Sequence, residues 1–131
     1  MKLLRLVVSG SRGFVDGKYM SSVLEKLTWD LTEGKPGSLA VHLVVGGAQG
    51  ADQIAESIGR RWGWEVTVVK ANWSADGKKA GYLRNAKMLE YNPHMVLAFF
   101  DSREKPSPGT SMMVKQAKEA GIKGFAYYPR R

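Results

Sequence analysis

The sequence contains no cysteine, only two histidines, and twelve acidic residues against twenty lysines and arginines in 131 positions. Lack of cysteine excludes disulfides, thiolate nucleophiles and cysteine-ligated zinc together, and it fits a cytoplasmic location. His42 and His94 stand far apart, one inside an apolar run and one at the entrance to another, so both read as structural. No metal site and no cofactor are expected from them. Ser9 and Ser11 have no histidine nearby, which argues against an acyl-transfer triad. Long apolar runs are missing as well, and no stretch approaches membrane-spanning length. The N-terminal Leu3–Val8 is short, interrupted by Arg5, and followed by no small-residue cleavage site, so it does not read as a signal peptide. Internal repeats and low-complexity segments are absent too.

Against these absences stand a hydrophobic fraction of 44% and four tryptophans. That is the composition of one folded domain over residues 1–131, long enough for a single core. The net charge is +8, with a pI near 9.8. Such a balance favours an anionic partner, a nucleotide or less readily a nucleic acid. The charges are dispersed, with only short clusters such as Lys78-Lys79 and Arg130-Arg131.

The chain is organised around Val44-Val45-Gly46-Gly47-Ala48-Gln49-Gly50-Ala51-Asp52. An apolar run from Leu39 to Val45 stops at a glycine pair. After Gly50, apolar residues fall at Ala51, Ile54, Ala55, Ile58 and Trp62, which is helical spacing. The segment therefore reads as strand, tight turn and amphipathic helix. Glycines leave room for an anion to approach the backbone, and first-turn N–H groups have no partner within a helix. Such an end attracts phosphate. The spacing matches neither the P-loop nor the dinucleotide fingerprint, and a plain structural turn reads the same residues.

The same alternation runs throughout. Leu3–Val8, Leu39–Val45, Glu65–Val69, Met95–Phe100 and Lys123–Tyr127 read as strands, the last as an edge. Between them fall helices marked by Met20, Val23, Leu24, Leu27 and Leu31, by the stripe after Gly50, by residues 80–91, and by Met113, Val114 and Ala117 after Thr110. Gly121 is placed for a left-handed cap, with Ile122 folding back on the last turn. Ala71 to Lys79 reads as irregular, and Asp101 to Gly109 as a loop with Pro106 and Pro108. Strict alternation predicts a parallel sheet of about five strands with helices on both faces. By analogy with one nucleotide-binding half of a doubly wound fold, the expected order is 3-2-1-4-5, with ligands at the carboxyl ends beside the switch between the first and fourth strands.

That order gathers Gly10-Ser11-Arg12, Gly46 to Asp52, and the loop from Asp101 to Thr110 at one crevice. The backbone amides of Gly46, Gly47, Ala48, Gln49 and Gly50, with those of Gly109 and Thr110, are the candidate phosphate ligands, and Ser111 adjoins them. Thr110 can also simply cap its helix. Arg12 can fork onto a phosphate or pair with Asp52 or Asp101. Arg84 is either a second counter-charge or an ordinary surface cation. Trp73 either stacks on a base or covers the sheet edge. Lys79, Gly81 and Asn85 lie beside Arg84 at the start of the same helix.

Gly10-Ser11-Arg12, Gly46-Gly47-Ala48-Gln49-Gly50-Ala51-Asp52, Ala71-Asn72-Trp73, Gly77-Lys78-Lys79-Ala80-Gly81, Arg84-Asn85-Ala86-Lys87-Met88 and Gly109-Thr110 together resemble the YspA-like, cpYpsA-related branch of the SLOG superfamily. The likeness spans roughly residues 5–125. It implies a Rossmann-like, three-layer α/β/α nucleotide-binding fold from bacteria or bacteriophages, a dimer in many relatives, for which Met112, Phe125 and Tyr127 are candidate interface residues. More distantly the chain is similar to LONELY GUY phosphoribohydrolases and to the DNA-processing protein DprA, which binds single strands. The phosphoribohydrolase motif P-G-G-x-G-T-x-x-E is matched here by Pro108-Gly109-Thr110, with Met113 where the catalytic glutamate belongs. A thioether cannot transfer a proton. The resemblance implies that the catalytic arginine corresponds to Arg84. No catalytic residue is assigned beyond that, although Asp52 or Asp101 could substitute as the acid in an enzyme.

Overall fold

The computed structural model describes residues 2–101 and 108–129. The loop around Pro106 and the Arg130-Arg131 pair lie outside the described residues. Five strands form one sheet: β1 (Lys2–Gly10), β2 (Leu39–Val45), β3 (Glu65–Val68), β4 (Met95–Phe99) and β5 (Lys123–Tyr127). All four ladders are parallel, as the alternating pattern predicts, and the order is β3-β2-β1-β4-β5, as expected by analogy with a doubly wound fold. The helices are α1 (Gly17–Leu31), α2 (Ala51–Arg61), α3 (Trp73–Asp76), α4 (Ala80–Leu89) and α5 (Pro108–Glu119).

The pleat of β1 sorts the core into two layers. Leu4, Leu6 and Val8 face one side, where Met20 and Leu24 of α1 and Ala55 and Ile58 of α2 pack with Leu43 and Phe99. Val7 faces the other, among Val44, Val96, Met88 of α4, and Met113 and Ala117 of α5. Alternation along one strand thus supplies both layers, because successive side chains point to opposite faces. β1, β2 and β4 are the buried centre; β5 is exposed over most of its length.

Local signals explain most boundaries. Asp16 caps α1 by accepting the Tyr19 N–H at 3.0 Å. After α5, Gly121 takes φ +76°, and the Ile122 N–H returns to the Ala117 carbonyl at 2.8 Å. Ile122 then packs on the second core layer, as a glycine-capped helix end favours. Two boundaries differ from the sequence reading. The stretch over Ala71–Lys79 is not irregular but holds α3 and a 3-10 turn from Gly77 to Lys79. Asn72 begins α3 by accepting the Ala75 N–H at 3.1 Å. Its four residues are too short to carry an apolar stripe, so periodicity misses them. Further on, α5 opens at Pro108, placing Thr110 inside the first turn rather than at its start. Proline at the first helical position is favourable because the missing N–H would be unpaired anyway.

Candidate functional site

The carboxyl ends of β1 and β4 and the start of α2 are held together by Ser11, which is 3% exposed. Its N–H donates to the Phe99 carbonyl at 2.9 Å, and its carbonyl accepts the Ala51 N–H at 3.2 Å. Its hydroxyl accepts the Asp101 N–H at 3.3 Å. One residue therefore ties the end of the central strand to the start of α2 and to the end of β4. Gly10 is wedged just before it, and any Cβ there would overlap Ala51 and the Phe99 carbonyl. Gly50, at φ +77°, presses against the Ser11 and Arg12 carbonyls so closely that a side chain has no room. Gly47 also adopts positive φ, +75°, and lies against Val68 and the aliphatic part of Lys70.

Asp52 occupies the first turn of α2 and is 4% exposed. Its Oδ2 accepts the Ala48 N–H at 3.1 Å, while Oδ1 has no hydrogen-bond partner among the described residues. Burial raises its pKa from 3.8 to about 6, against the opposing pull of the Ala48 N–H, the Arg84 charge, the Gly46 N–H and the Arg12 charge. An unpartnered carboxylate oxygen in a buried position is a costly feature that packing does not require.

Arg84 reaches in from α4, half-buried. Its Nη1 donates to the Gly46 carbonyl at 2.8 Å and its Nε to Asn85 Oδ1 at 3.1 Å. Gly46 leaves room for this seat: a Cβ there would meet the Arg84 guanidinium and Asp52 Oδ2, so a side chain at this position would push Arg84 aside. Among the described residues the ion pairs are Lys26–Asp30 and Arg60–Glu56, so neither Arg84 nor Arg12 is in one. Arg12 is exposed at the rim, as are Gln49 and Lys79.

Not every candidate from the sequence faces this crevice. Asn85, 2% exposed, points into the α4–α5 contact, where its Nδ2 donates to Gln116 Oε1 at 3.1 Å. Thr110 is buried, whereas Gly109 has open space around it and Ser111 is exposed. Trp73 is 54% exposed in α3, with its ring edge near Gly81. Asp101 follows β4 with its carboxylate beside Gly13. Met113, at 0% exposure, fills the core. His42 Nε2 is 2.8 Å from the Thr67 hydroxyl, and His94 Nδ1 accepts the Arg5 N–H at 2.9 Å. No group of three or more His, Cys, Asp or Glu able to hold a metal occurs among the described residues.

Two rim-related residues escape sequence reasoning. Lys70 reaches the glycine turn only because β3 pairs with β2, and nothing local announces it. Gln116 is the polar interruption in an apolar helical stripe, a signal available in the sequence but indistinguishable there from a surface position.

Comparison with known proteins bears on the fold and the family. The chain is 36% identical over 127 residues to the Gene 61 protein of Mycobacterium phage D29, covering 90% of this chain and 91% of that protein. The X-ray structure of DNA processing protein A (DprA) from Streptococcus pneumoniae superposes with a TM-score of 0.64 at 18% identity, over 95% of this chain and 50% of that one. At that identity the likeness speaks for the fold alone, and the chain spans half of the larger protein's length. The model of the YspA, cpYpsA-related SLOG family matches residues 4–75, from β1 through α3 and including the whole glycine turn. Fold, strand order and that match agree: the chain belongs to the YspA, cpYpsA-related SLOG family.

Proposed function

We propose that the domain binds a phosphorylated nucleoside or nucleotide-derived ligand at the carboxyl edge of its sheet, for sensing or sequestration in the cytoplasm. The observation that carries this reading is Arg84, a half-buried cation held on the Gly46 carbonyl beside the glycine turn with no ion-pair partner among the described residues. Its remaining donors, the exposed Arg12 and the first-turn amides of α2 other than that of Ala51, which the Ser11 carbonyl holds, are the groups that would meet an anion in this reading. A phosphate seated there would meet charge-assisted hydrogen bonds from both side chain and backbone. Trp73, Lys79 and the exposed Gly109 and Ser111 on either side of the buried Thr110 are the candidate outer limits of the site, the first as a cover for a base. A homodimer, with Met112, Phe125 and Tyr127 at its interface, belongs to the same proposal.

Titration calorimetry with AMP, ADP-ribose and cyclic dinucleotides tests the reading. At least one is expected to bind, and Arg84→Ala is expected to weaken it about 10–100-fold, the worth of a charge-assisted bond. Silence across the panel sinks the proposal.

One observation favours a second reading, hydrolysis of the base–ribose bond of nucleoside monophosphates. Met113 cannot supply an acid, but Asp52 is a buried carboxyl with a pKa of about 6, suited to proton transfer near neutrality. Release of free adenine from AMP, abolished by Asp52→Asn, would establish it; intact AMP after long incubation would exclude it. DprA-like binding of single strands is the remaining alternative, and it predicts affinity for oligonucleotides that falls steeply with salt.

A further inference from the structure

Arg84 is held in place by a directional chain of side-chain amides that begins on a different helix. Gln116 of α5 donates from Nε2 to the Tyr82 carbonyl at 3.3 Å. Its Oε1 accepts from Asn85 Nδ2 at 3.1 Å, Asn85 Oδ1 accepts from Arg84 Nε at 3.1 Å, and Arg84 Nη1 ends the chain on the Gly46 carbonyl at 2.8 Å. Asn85 and Gln116 are 2% and 8% exposed, so water is a poor substitute for either partner.

The polarity of every link is fixed by chemistry. A guanidinium has only donors, so Asn85 must present its oxygen to Arg84 and its NH2 to Gln116. Gln116 must then present oxygen to Asn85, which leaves its own NH2 for the Tyr82 carbonyl. Turning either amide over would set donor against donor and strand a buried polar group. From this we infer that Gln116 and Asn85 are positioning residues, which fix the Arg84 guanidinium on the glycine turn and couple the seating of α5 to the geometry of the rim.

The functional part of this inference rests on the proposed ligand site; the structural part does not. Asn85 was among the candidate ligand-binding residues, and its burial in the chain gives it this different task. Because the relay crosses from α5 to α4, a change in how α5 packs would release Arg84 without altering the turn itself.

Side-chain NMR of the intact protein separates the two parts. In Gln116→Leu, which keeps bulk but loses both hydrogen bonds, hydrogen exchange at the Arg84 Nε–H is expected to speed up about tenfold or more. AMP affinity should fall about tenfold in the same variant. Gln116→Glu keeps the acceptor for Asn85 but loses the donor to the Tyr82 carbonyl, and is expected to leave Arg84 Nε–H exchange closer to that of the unaltered protein than Gln116→Leu does. Unchanged Arg84 Nε–H exchange in Gln116→Leu overturns the relay. Should that variant fail to fold, Asn85→Asp serves instead, because it still accepts from Arg84 but cannot donate to Gln116. Its expected signature is slower Arg84 Nε–H exchange, because a carboxylate accepts more strongly than an amide; unchanged or faster Arg84 exchange overturns the relay. A full set of exchange effects with no AMP binding by the unaltered protein upholds the relay and removes the ligand site.

Discussion

Gly50 and Gly63 have nearly the same φ, +77° and +76°, and they bracket the same helix at opposite ends of the sheet. Gly50 is jammed against the Ser11 and Arg12 carbonyls, whereas nothing lies within 4 Å of a side chain placed on Gly63. The contrast extends to the two rims. At the carboxyl rim backbone segments crowd together, and Arg84, Arg12 and a buried Asp52 surround a glycine turn. At the amino rim a broad hollow opens between α1, the start of β2 and the turn after α2, lined by Trp29, Trp62, Trp64 and Leu39. Trp62 and Trp64 pack edge to face there at 5.2 Å, and Lys26 is already paired with Asp30. The hollow offers area, while the carboxyl rim offers directional groups and cations outside ion pairs. Concavity alone is therefore a poor guide to where an anion would bind.

The largest effect expected to test this contrast comes from the two glycines. Gly50→Ala adds left-handed strain and a clash with fixed backbone, so a loss above about 3 kcal/mol is expected in urea unfolding. Gly63→Ala meets only the strain and should lose about 1–2 kcal/mol. Equal losses would mean that crowding at the carboxyl rim is not what holds the turn.

Next comes Asp52. Its carboxyl has a pKa of about 6 in the folded chain against an ordinary 3.8, with burial the main cause. The folded state thus keeps a proton that the unfolded state releases. Stability from this group is full below the unfolded value and is lost as pH rises through the folded one, about 3 kcal/mol in all. Asp52→Asn should flatten the profile between about pH 4 and 7 and exceed the unaltered protein at neutral pH by up to that amount. Identical pH profiles would show that the buried charge is accommodated without penalty. A carboxylate that lowers stability at the glycine turn is the pattern of a residue kept for binding or chemistry.

The smallest effect belongs to the amino rim. Lys26→Ala breaks an exposed i,i+4 pair and is expected to lower stability by about 0.3–0.5 kcal/mol. AMP affinity should not change. A shift in AMP affinity beyond about twofold, too large for an exposed pair remote from the ligand, would move the site toward the hollow.

Much of the framework was legible in the chain itself. Five apolar runs alternating with helical stripes pointed to the parallel sheet, because both signals are local and repeat at fixed periods, while its order came from analogy with doubly wound folds. The glycine turn was legible for the same reason, as a break in pattern between a strand and a helix. What local pattern could not supply were partners distant in sequence. Arg84 is bound to a carbonyl 38 positions away, and Asn85 to a side chain 31 away. Asn85 looked like a neighbour of the ligand because it adjoins Arg84, yet one residue along a helix rotates the side chain to another face. The start of α5 was misplaced by two residues, since a threonine that can cap a helix also fits its first turn.

By itself the sequence determined the layers, the alternation of strand and helix and which turns carry glycine, since alternation and periodicity act through neighbours a few residues apart. Tertiary structure alone decided that Asp52 is buried with an unpartnered oxygen, that Lys70 leans on Gly47, and that Gln116 steadies Arg84. Desolvation, hydrogen-bond direction and close contact depend on distances in space, and these exist only once segments far apart along the chain have been packed together.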